Sequence, residues 1–294
     1  MTHGLTFGVA AELLVGGLLL GGIYALMASG LNLIFGVMRV VNFAHGDIVA
    51  VGALLTVTLV GALAVPFGLA LILVPIVAGA LGYVIQVTVI RRVIDGPPIM
   101  TLLATYGIST VLVNVAILIW GGGFRGLPGE LAGSVPVLGL DVPLSRLVAF
   151  AVALAASLGV WWVLRSTSFG RAVRSVSQAP ELATISGIPI DRIRNMTFAL
   201  GSAMAGLAGV LLAPTFASDP QMGSRFIVKA FAVIIVGGLG SYPGAVIGAL
   251  LLGVVEVGCS YWMGGVIGSA MLYIVMLATL LVRPCGLLGL GMRA

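Results

Sequence analysis

The chain has 294 residues, of which 60% are hydrophobic and only 8% are charged. A soluble protein of this size needs far more charge on its surface, so the composition excludes a soluble globular enzyme and predicts a membrane protein. The net charge of +5 could suit nucleic acid, but the arginines cluster beside apolar runs, as the positive-inside rule expects. We therefore expect lipid as the surroundings and no nucleic-acid partner.

Long apolar segments follow one another along the whole chain, and most are long enough to cross a bilayer, which takes about 20 helical residues. No basic region followed by an Ala-x-Ala-like site precedes them, so we expect no cleaved signal peptide. The stretch 226–257 is interrupted by Gly237–Gly244, which favours a division into two segments; an undivided stretch is the alternative. The predicted segments are 9–31, 48–64, 69–90, 99–120, 144–164, 196–214, 226–257 (one or two) and 266–282.

The polar loops give the orientation of these segments. The loops Arg91–Asp95 and Arg165–Arg194 are rich in arginine and are predicted to be cytoplasmic, whereas the Gly/Pro-rich loop Gly121–Pro143 is predicted to lie outside. Basic residues after the last segment, at Arg283 and Arg293, favour nine segments with the N-terminus outside over eight. The fold predicted is an all-α polytopic bundle of about 8–9 segments, forming one transmembrane domain over residues 1–294.

The cytoplasmic loop 165–194 has a helix pattern of its own. Pro180 suits the first turn of a helix, and Glu181 in that turn is favourable beside its positive end. Gly187 followed by Pro189 predicts a stop, and Asp191 is expected to cap the next segment. The sequence thus predicts a short helix of about two turns lying across the cytoplasmic face, able to meet a soluble partner.

Residues suited to catalysis or metal binding are scarce. The single lysine, Lys229, is not in a Gly-Lys-Ser/Thr sequence, so a P-loop for ATP is excluded. His3 and His45 have no second ligand at helical spacing, so neither a metal site nor a catalytic triad is expected. Cys259 and Cys285 lack metal-ligand spacing and are expected to be packing residues.

Asn42, His45 and Asp47 form a polar run between two apolar segments. Polar groups at membrane depth are costly and tend to face a cavity or a partner, which favours a role in a translocation pathway or its gate. The alternative is a short interfacial turn with no role in transport.

Three other polar residues lie alone in apolar segments. Glu256 either has a structural or interfacial role, by reaching the membrane surface for example, or faces a pathway, and the structural or interfacial role is favoured. Gln86 and Asn114 are expected to form hydrogen bonds between helices.

Several stretches together resemble a known family, and they span nearly the whole chain. They are Gly30–Gly36, Val41–Asp47, Gly170–Ala172, Ser186–Arg192, Phe198–Leu212, Val236–Ala245 and Arg283–Leu288. In this order they resemble the branched-chain amino acid ABC importer permeases, specifically the shorter of the two paralogous permease subunits. The resemblance implies the ABC importer permease fold and a place in the bacterial cytoplasmic membrane.

The resemblance also implies partners: a second related permease, two ATPase subunits and an extracytoplasmic substrate-binding protein. ATP and Mg would then be bound by the ATPase subunits, with no cofactor and no catalytic residue in this chain. The coupling pattern E-x-A-x-x-x-G matches Glu181, Ala183 and Gly187, and with Ile185 these residues are expected to dock on an ATPase. Leu182 departs from the fuller E-A-A form of the pattern.

The motifs leave the solute open among branched-chain amino acids, urea, short amides and aromatic acids. The alternative to an importer subunit is a stand-alone channel or an ion-coupled secondary transporter. Such a transporter normally has intramembrane acids or bases for ion coupling, and this sequence has few.

Overall fold

The computed structural model describes residues 7–127, 129, 131–137 and 139–289, so His3, Glu130 and Arg293 lie outside the described residues. The architecture is an all-α membrane bundle, as predicted. Its helices are α1 (Phe7–Met38), α2 (Ala44–Ala62), α3 (Phe67–Val93), α4 (Pro98–Trp120), α5 (Leu144–Ser166), α6 (Ser168–Gln178), α7 (Pro180–Ile185), α8 (Ile190–Leu212), α9 (Met222–Gly237), α10 (Tyr242–Met263) and α11 (Gly265–Val282).

Within the described residues, eight of these helices are long and apolar enough to cross a membrane. The remaining three are α6, α7 and α9, and α9 has only 16 residues. The chain does divide at 237–244, where α9 ends and α10 begins. The described residues therefore include eight helices of membrane-spanning length and one shorter apolar helix.

Two features of the fold differ from the sequence prediction. The first segment does not end at Leu31 but continues as helix to Met38, because the Asn32 side chain is bonded: its amide nitrogen donates to Ser241 O at 2.8 Å and its oxygen accepts the Gly240 N–H at 2.7 Å. The outer loop also contains an unpredicted antiparallel hairpin of β1 (Ser134–Val137) and β2 (Leu140–Pro143).

The centre of the bundle is formed by α1, α2, α8 and α10, which pack closely through glycine. A Cβ at Gly17 of α1 would lie 2.5 Å from the Cα of Val254 on α10, and one at Gly209 of α8 would lie 2.3 Å from the carbonyl oxygen of Val49 on α2. Glycines on α1 and α8 therefore let these helices lie in close contact with α10 and α2. By contrast, α4 and α11 expose most of their apolar side chains, as lipid-facing helices do.

Two contacts place the arginine-rich loops on the same face of the bundle. Arg91, at the end of α3, forms an ion pair of 2.5 Å with Asp191 at the start of α8. The Ser177 hydroxyl of α6 donates to the carbonyl of Gly36 near the end of α1 at 2.6 Å. The predicted N-cap role of Asp191 is wrong, because Pro189 holds that position and the Asp191 carboxylate points to Arg91.

Candidate functional site

The face of the bundle with the arginine-rich loops, predicted to be cytoplasmic, has two short helices, of which only the second was predicted. The first, α6, begins after Thr167, whose hydroxyl accepts the N–H of Gly170 at 3.1 Å. It buries Val173 and Val176 against the bundle and exposes Arg171. An amphipathic helix of this kind lies along the membrane surface and supports the segment that follows it.

The second helix, α7, begins and ends where the sequence predicts. Pro180 occupies its first turn together with Glu181. Gly187 has φ of +76°, a conformation that glycine adopts without strain. The N–H groups of Gly187 and Ile188 then donate to the carbonyls of Thr184 and Ala183 at 2.9 and 3.0 Å, which satisfies the end of the helix.

The two faces of α7 have different surroundings. Ala183 is only 3% exposed and packs against the chain itself, whereas Leu182 and Ile185 are 64% and 83% exposed. Glu181 and Gly187 are also exposed. Adjacent apolar side chains held out on the aqueous side of a membrane protein are typical of a surface that a partner covers.

The polar run predicted as a pathway element lies beneath the surface of this chain. His45 is fully buried, and its Nε2 lies 3.0 Å from the carbonyl oxygen of Met27 on α1. Asp47 is in the first turn of α2 and interacts with Ser109 of α4. Among the described residues, the buried amide of Asn42 has no hydrogen-bond partner. The role of these three residues in transport stays a prediction.

This polar run lies at the middle level of the bundle. Gly30 of α1 lies against both the His45 ring and Gly201, and Gly201 is the midpoint of α8. Ser109, the partner of Asp47, is the midpoint of α4. The chain therefore returns from the cytoplasmic end of α1 to mid-membrane before α2 starts.

A charged network that the sequence did not predict lies inside the bundle. The Lys229 ammonium of α9 donates to Glu256 Oε1 of α10 at 2.6 Å and to the Tyr24 hydroxyl of α1 at 3.0 Å. Glu256 also accepts hydrogen bonds from Tyr24 and from Ser269 of α11, each at 2.7 Å. The membrane-surface position considered for Glu256 is wrong, since this residue is 6% exposed, and its bonds to three other helices agree with the structural role that was also expected. A lone lysine and a lone glutamate in adjacent apolar segments are the available sequence signal.

Other residues singled out from the sequence have ordinary surroundings. Asn114 donates to Thr110 O of its own helix at 2.8 Å, where a bond between helices was expected, and Gln86 is buried. Cys259 is half-buried, but Cys285 is exposed, so its predicted packing role is wrong. No group of three His, Cys, Asp or Glu side chains able to hold a metal occurs in the described part of the chain.

Comparison with known proteins gives one consistent result. Residues 13–281 match the family described as branched-chain amino acid transport system, permease component. The chain is 31% identical to the high-affinity branched-chain amino acid transport system permease protein LivH of Salmonella typhimurium, over 93% of each chain. It is 29% identical to the corresponding protein BraD of Pseudomonas aeruginosa, over 94% of each.

A more distant relative and a solved structure extend the comparison. The autoinducer 2 import system permease protein LsrC of Yersinia pseudotuberculosis is 32% identical over 78% of this chain and 65% of its own. PsaBC from Streptococcus pneumoniae, solved in complex with Fab, has the same fold, with a TM-score of 0.54 and 13% identity over 95% of this chain and 97% of that one. Eight apolar spans and these relatives indicate a multi-pass protein of the bacterial cytoplasmic membrane. The chain belongs to the family of branched-chain amino acid transport system permease components.

Proposed function

We propose that this chain is one of two permease subunits of an ATP-driven importer for branched-chain amino acids or related small polar solutes. Its relatives LivH and BraD are permease proteins of high-affinity branched-chain amino acid transport systems. The second related permease, two ATPase subunits and an extracytoplasmic substrate-binding protein complete the proposed assembly. Residues 1–294 form one transmembrane domain, with the coupling loop at 165–194.

The observation that supports this proposal most directly is the exposed surface of α7. Glu181, Leu182, Ile185 and Gly187 lie in the open on the arginine-rich side of the bundle. An ATPase groove that covers them would bury two apolar side chains now in water, and burying a side chain of this size stabilises by about 1.5–3 kcal/mol. Ala183 contributes indirectly, because its buried side chain packs α7 against the rest of this chain.

In this proposal ATP and Mg²⁺ belong to the ATPase subunits, and the chain itself has no cofactor and no catalytic residue. Its single lysine, Lys229, is used inside the membrane in the pair with Glu256. Glu256, an intramembrane acid that an ion-coupled transporter could use, is thus already paired with a cation. The proposal includes a pathway or gate role for Asn42, His45 and Asp47. These residues are buried at the same depth in the bundle as the start of α9.

The test is uptake in proteoliposomes that contain the complete importer, assembled from this chain and the proteins encoded beside it. We expect uptake that needs internal ATP and the binding protein, and that stops when the ATPase P-loop lysine is replaced. Uptake into proteoliposomes that contain this chain alone, without ATP, would favour the channel or secondary transporter and would contradict the proposal.

A further inference from the structure

The short helix α9 starts in the middle of the membrane. A Cβ at Gly223, in its first turn, would lie 2.8 Å from both the Cα and the backbone N of Asp47, and one at Gly46 would lie 2.3 Å from the carbonyl oxygen of Gly223, so the two backbones are in contact. Asp47 interacts with Ser109 at the midpoint of α4. The first turn of α9 is therefore at mid-membrane level, and its 16 residues descend from there toward the cytoplasmic face.

The segment before α9 descends into the bundle from the outer side. Ser218 forms two main-chain hydrogen bonds, of 2.8 and 2.7 Å, with Arg125 in the loop between α4 and α5. After Ser218 the chain reaches the level of Asp47 within a few residues. The last residues before and at the start of α9 therefore lie inside the bundle, because Gly223 packs on α2.

The first turn of α9 has a polar face that the chain does not cover. Gln221, Ser224 and Arg225 are exposed, and the Arg225 side chain is 56% accessible. An arginine at the bilayer centre costs at least about 2.5–3.5 kcal/mol when it faces lipid. This face must therefore border water or a polar partner.

Among the described residues, Arg225 is paired with Asp219, and this pairing leaves part of its guanidinium accessible. The carboxylate of Asp219 forms an ion pair with Arg225 Nη2 and is itself only 7% accessible. The other carboxylate oxygen of Asp219 accepts the N–H of Gln221 at 2.9 Å, which fixes it in place. A guanidinium has five N–H donors, so outward donors remain for a second ligand. Lys229 differs, because its ammonium is paired inside the bundle.

We propose that Arg225 is a specificity-determining residue that binds the carboxylate of the solute as it passes the membrane centre. This inference rests on the proposed function and narrows the solute to a carboxylate-bearing one. The guanidinium plane matches two carboxylate oxygens with two parallel N–H donors, a fit that an ammonium lacks. Urea and simple amides carry no negative charge that Arg225 could bind.

The experiment uses the complete importer in proteoliposomes and four chains: wild type, Arg225→Gln, Arg225→Lys and Ser224→Ala. The solutes are leucine, valine and phenylalanine as carboxylates, with urea and acetamide as neutral probes. We expect R225Q to lower carboxylate uptake at least about tenfold, since a charge-assisted bidentate bond is lost. R225K retains part of the uptake, and S224A, on the same exposed face, is unchanged.

Two further measurements separate a solute site from a structural role. Assembly, followed by size-exclusion chromatography of the complex, should be the same for all four chains. Solute moved per ATP hydrolysed should fall in R225Q, while the affinity of the separate binding protein for leucine cannot change. These results together support the carboxylate site.

Other outcomes overturn the inference in distinguishable ways. If R225Q takes up the carboxylates at the same rate as the wild type, Arg225 has no role in solute passage. Loss of assembly in R225Q would make Arg225 a contact with the second permease. ATP-driven uptake of urea or acetamide alone would overturn the carboxylate site and leave the importer proposal standing. Absence of any ATP-driven uptake by the wild type would overturn the proposed function and the inference with it.

Discussion

The Lys229–Glu256 pair offers the sharpest test of how this bundle is held together. Lys229→Met removes the ammonium and keeps most of the side-chain volume. Glu256 would then retain only the hydroxyl donors of Tyr24 and Ser269 for a buried carboxylate. Three helices, α1, α10 and α11, would lose their shared connection to α9.

The magnitude follows from the distance and the burial. Two unit charges 2.6 Å apart attract by about 6 kcal/mol at an effective dielectric constant near 20, before desolvation is subtracted. Both side chains are largely buried, at 16% and 8% accessible, so removal of one leaves the other without its counter-ion. Breaking such a pair costs about 3–5 kcal/mol, whereas replacing both partners with apolar groups is often near neutral.

The assay is reversible unfolding of the purified chain in mixed detergent micelles by increasing SDS. We expect K229M and Glu256→Gln each to lower the free energy of unfolding by about 3–5 kcal/mol. The double variant K229M/E256Q should lose clearly less than the sum of the two, because the pair acts as a unit. Val228→Met, an exposed neighbour on α9, is the matched control and should stay within about 0.5 kcal/mol of wild type.

Two results would refute this reasoning. If K229M also stays within about 0.5 kcal/mol of wild type, the pair does not stabilise the bundle. If the losses in the double variant are additive, Lys229 and Glu256 act independently and the 2.6 Å contact has no energetic meaning.

Three further predictions concern the proposed function. Gly187→Trp should lower solute-stimulated ATP hydrolysis and transport, whereas Gly264→Trp, at an equally open positive-φ glycine between α10 and α11, should lower neither; equal effects would contradict docking at α7. Asp47→Asn should lower uptake more than assembly of the complex, and equal losses would indicate a structural turn. In a chain without Cys259 and Cys285, an impermeant thiol reagent applied to intact cells should label a cysteine at position 134 and not one at 178; the reverse pattern would invert the topology.

Local chemistry was enough to predict some of this structure. Pro180 and Gly187 specify where α7 begins and ends. The ring of proline and the positive φ that glycine tolerates are properties of these residues and do not depend on neighbouring helices. Arginine distribution likewise predicted that loops 91–95 and 165–194 share a face, and the Arg91–Asp191 pair joins them. These features need no knowledge of which helices are neighbours.

Features that depend on neighbouring helices were not predictable in the same way. The first predicted segment ended at residue 31, but Gly240 and Ser241 satisfy the amide of Asn32 from more than 200 positions away, and the helix continues. Lys229 and Glu256 belong to helices whose contact is known only once the bundle is assembled. The mid-membrane start of α9 follows from its packing on Asp47, which no local pattern shows.

A continuous set of contacts joins the docking helix to α9, and it suggests a final prediction. The helix α6, which leads into α7, bonds to Gly36 of α1 through the Ser177 hydroxyl at 2.6 Å. Gly36 lies against Gly240, whose N–H is held by Asn32 at 2.7 Å, and Gly240 lies just beyond the end of α9. Movement of α7 on an ATPase can thus reach α9 through these contacts.

Ser177→Ala removes the hydrogen bond between α6 and α1 without touching the exposed face of α7. We expect ATP hydrolysis to continue near its normal rate while solute moved per ATP falls, because docking is intact and transmission is weakened. Ser175→Ala is the matched control, since the Ser175 hydroxyl bonds only to Arg171 O of its own helix at 3.1 Å. If the two variants transport equally well per ATP, the Ser177–Gly36 contact is not part of the coupling route, and the connection between α7 and α9 must run through the packing of α6 and α8.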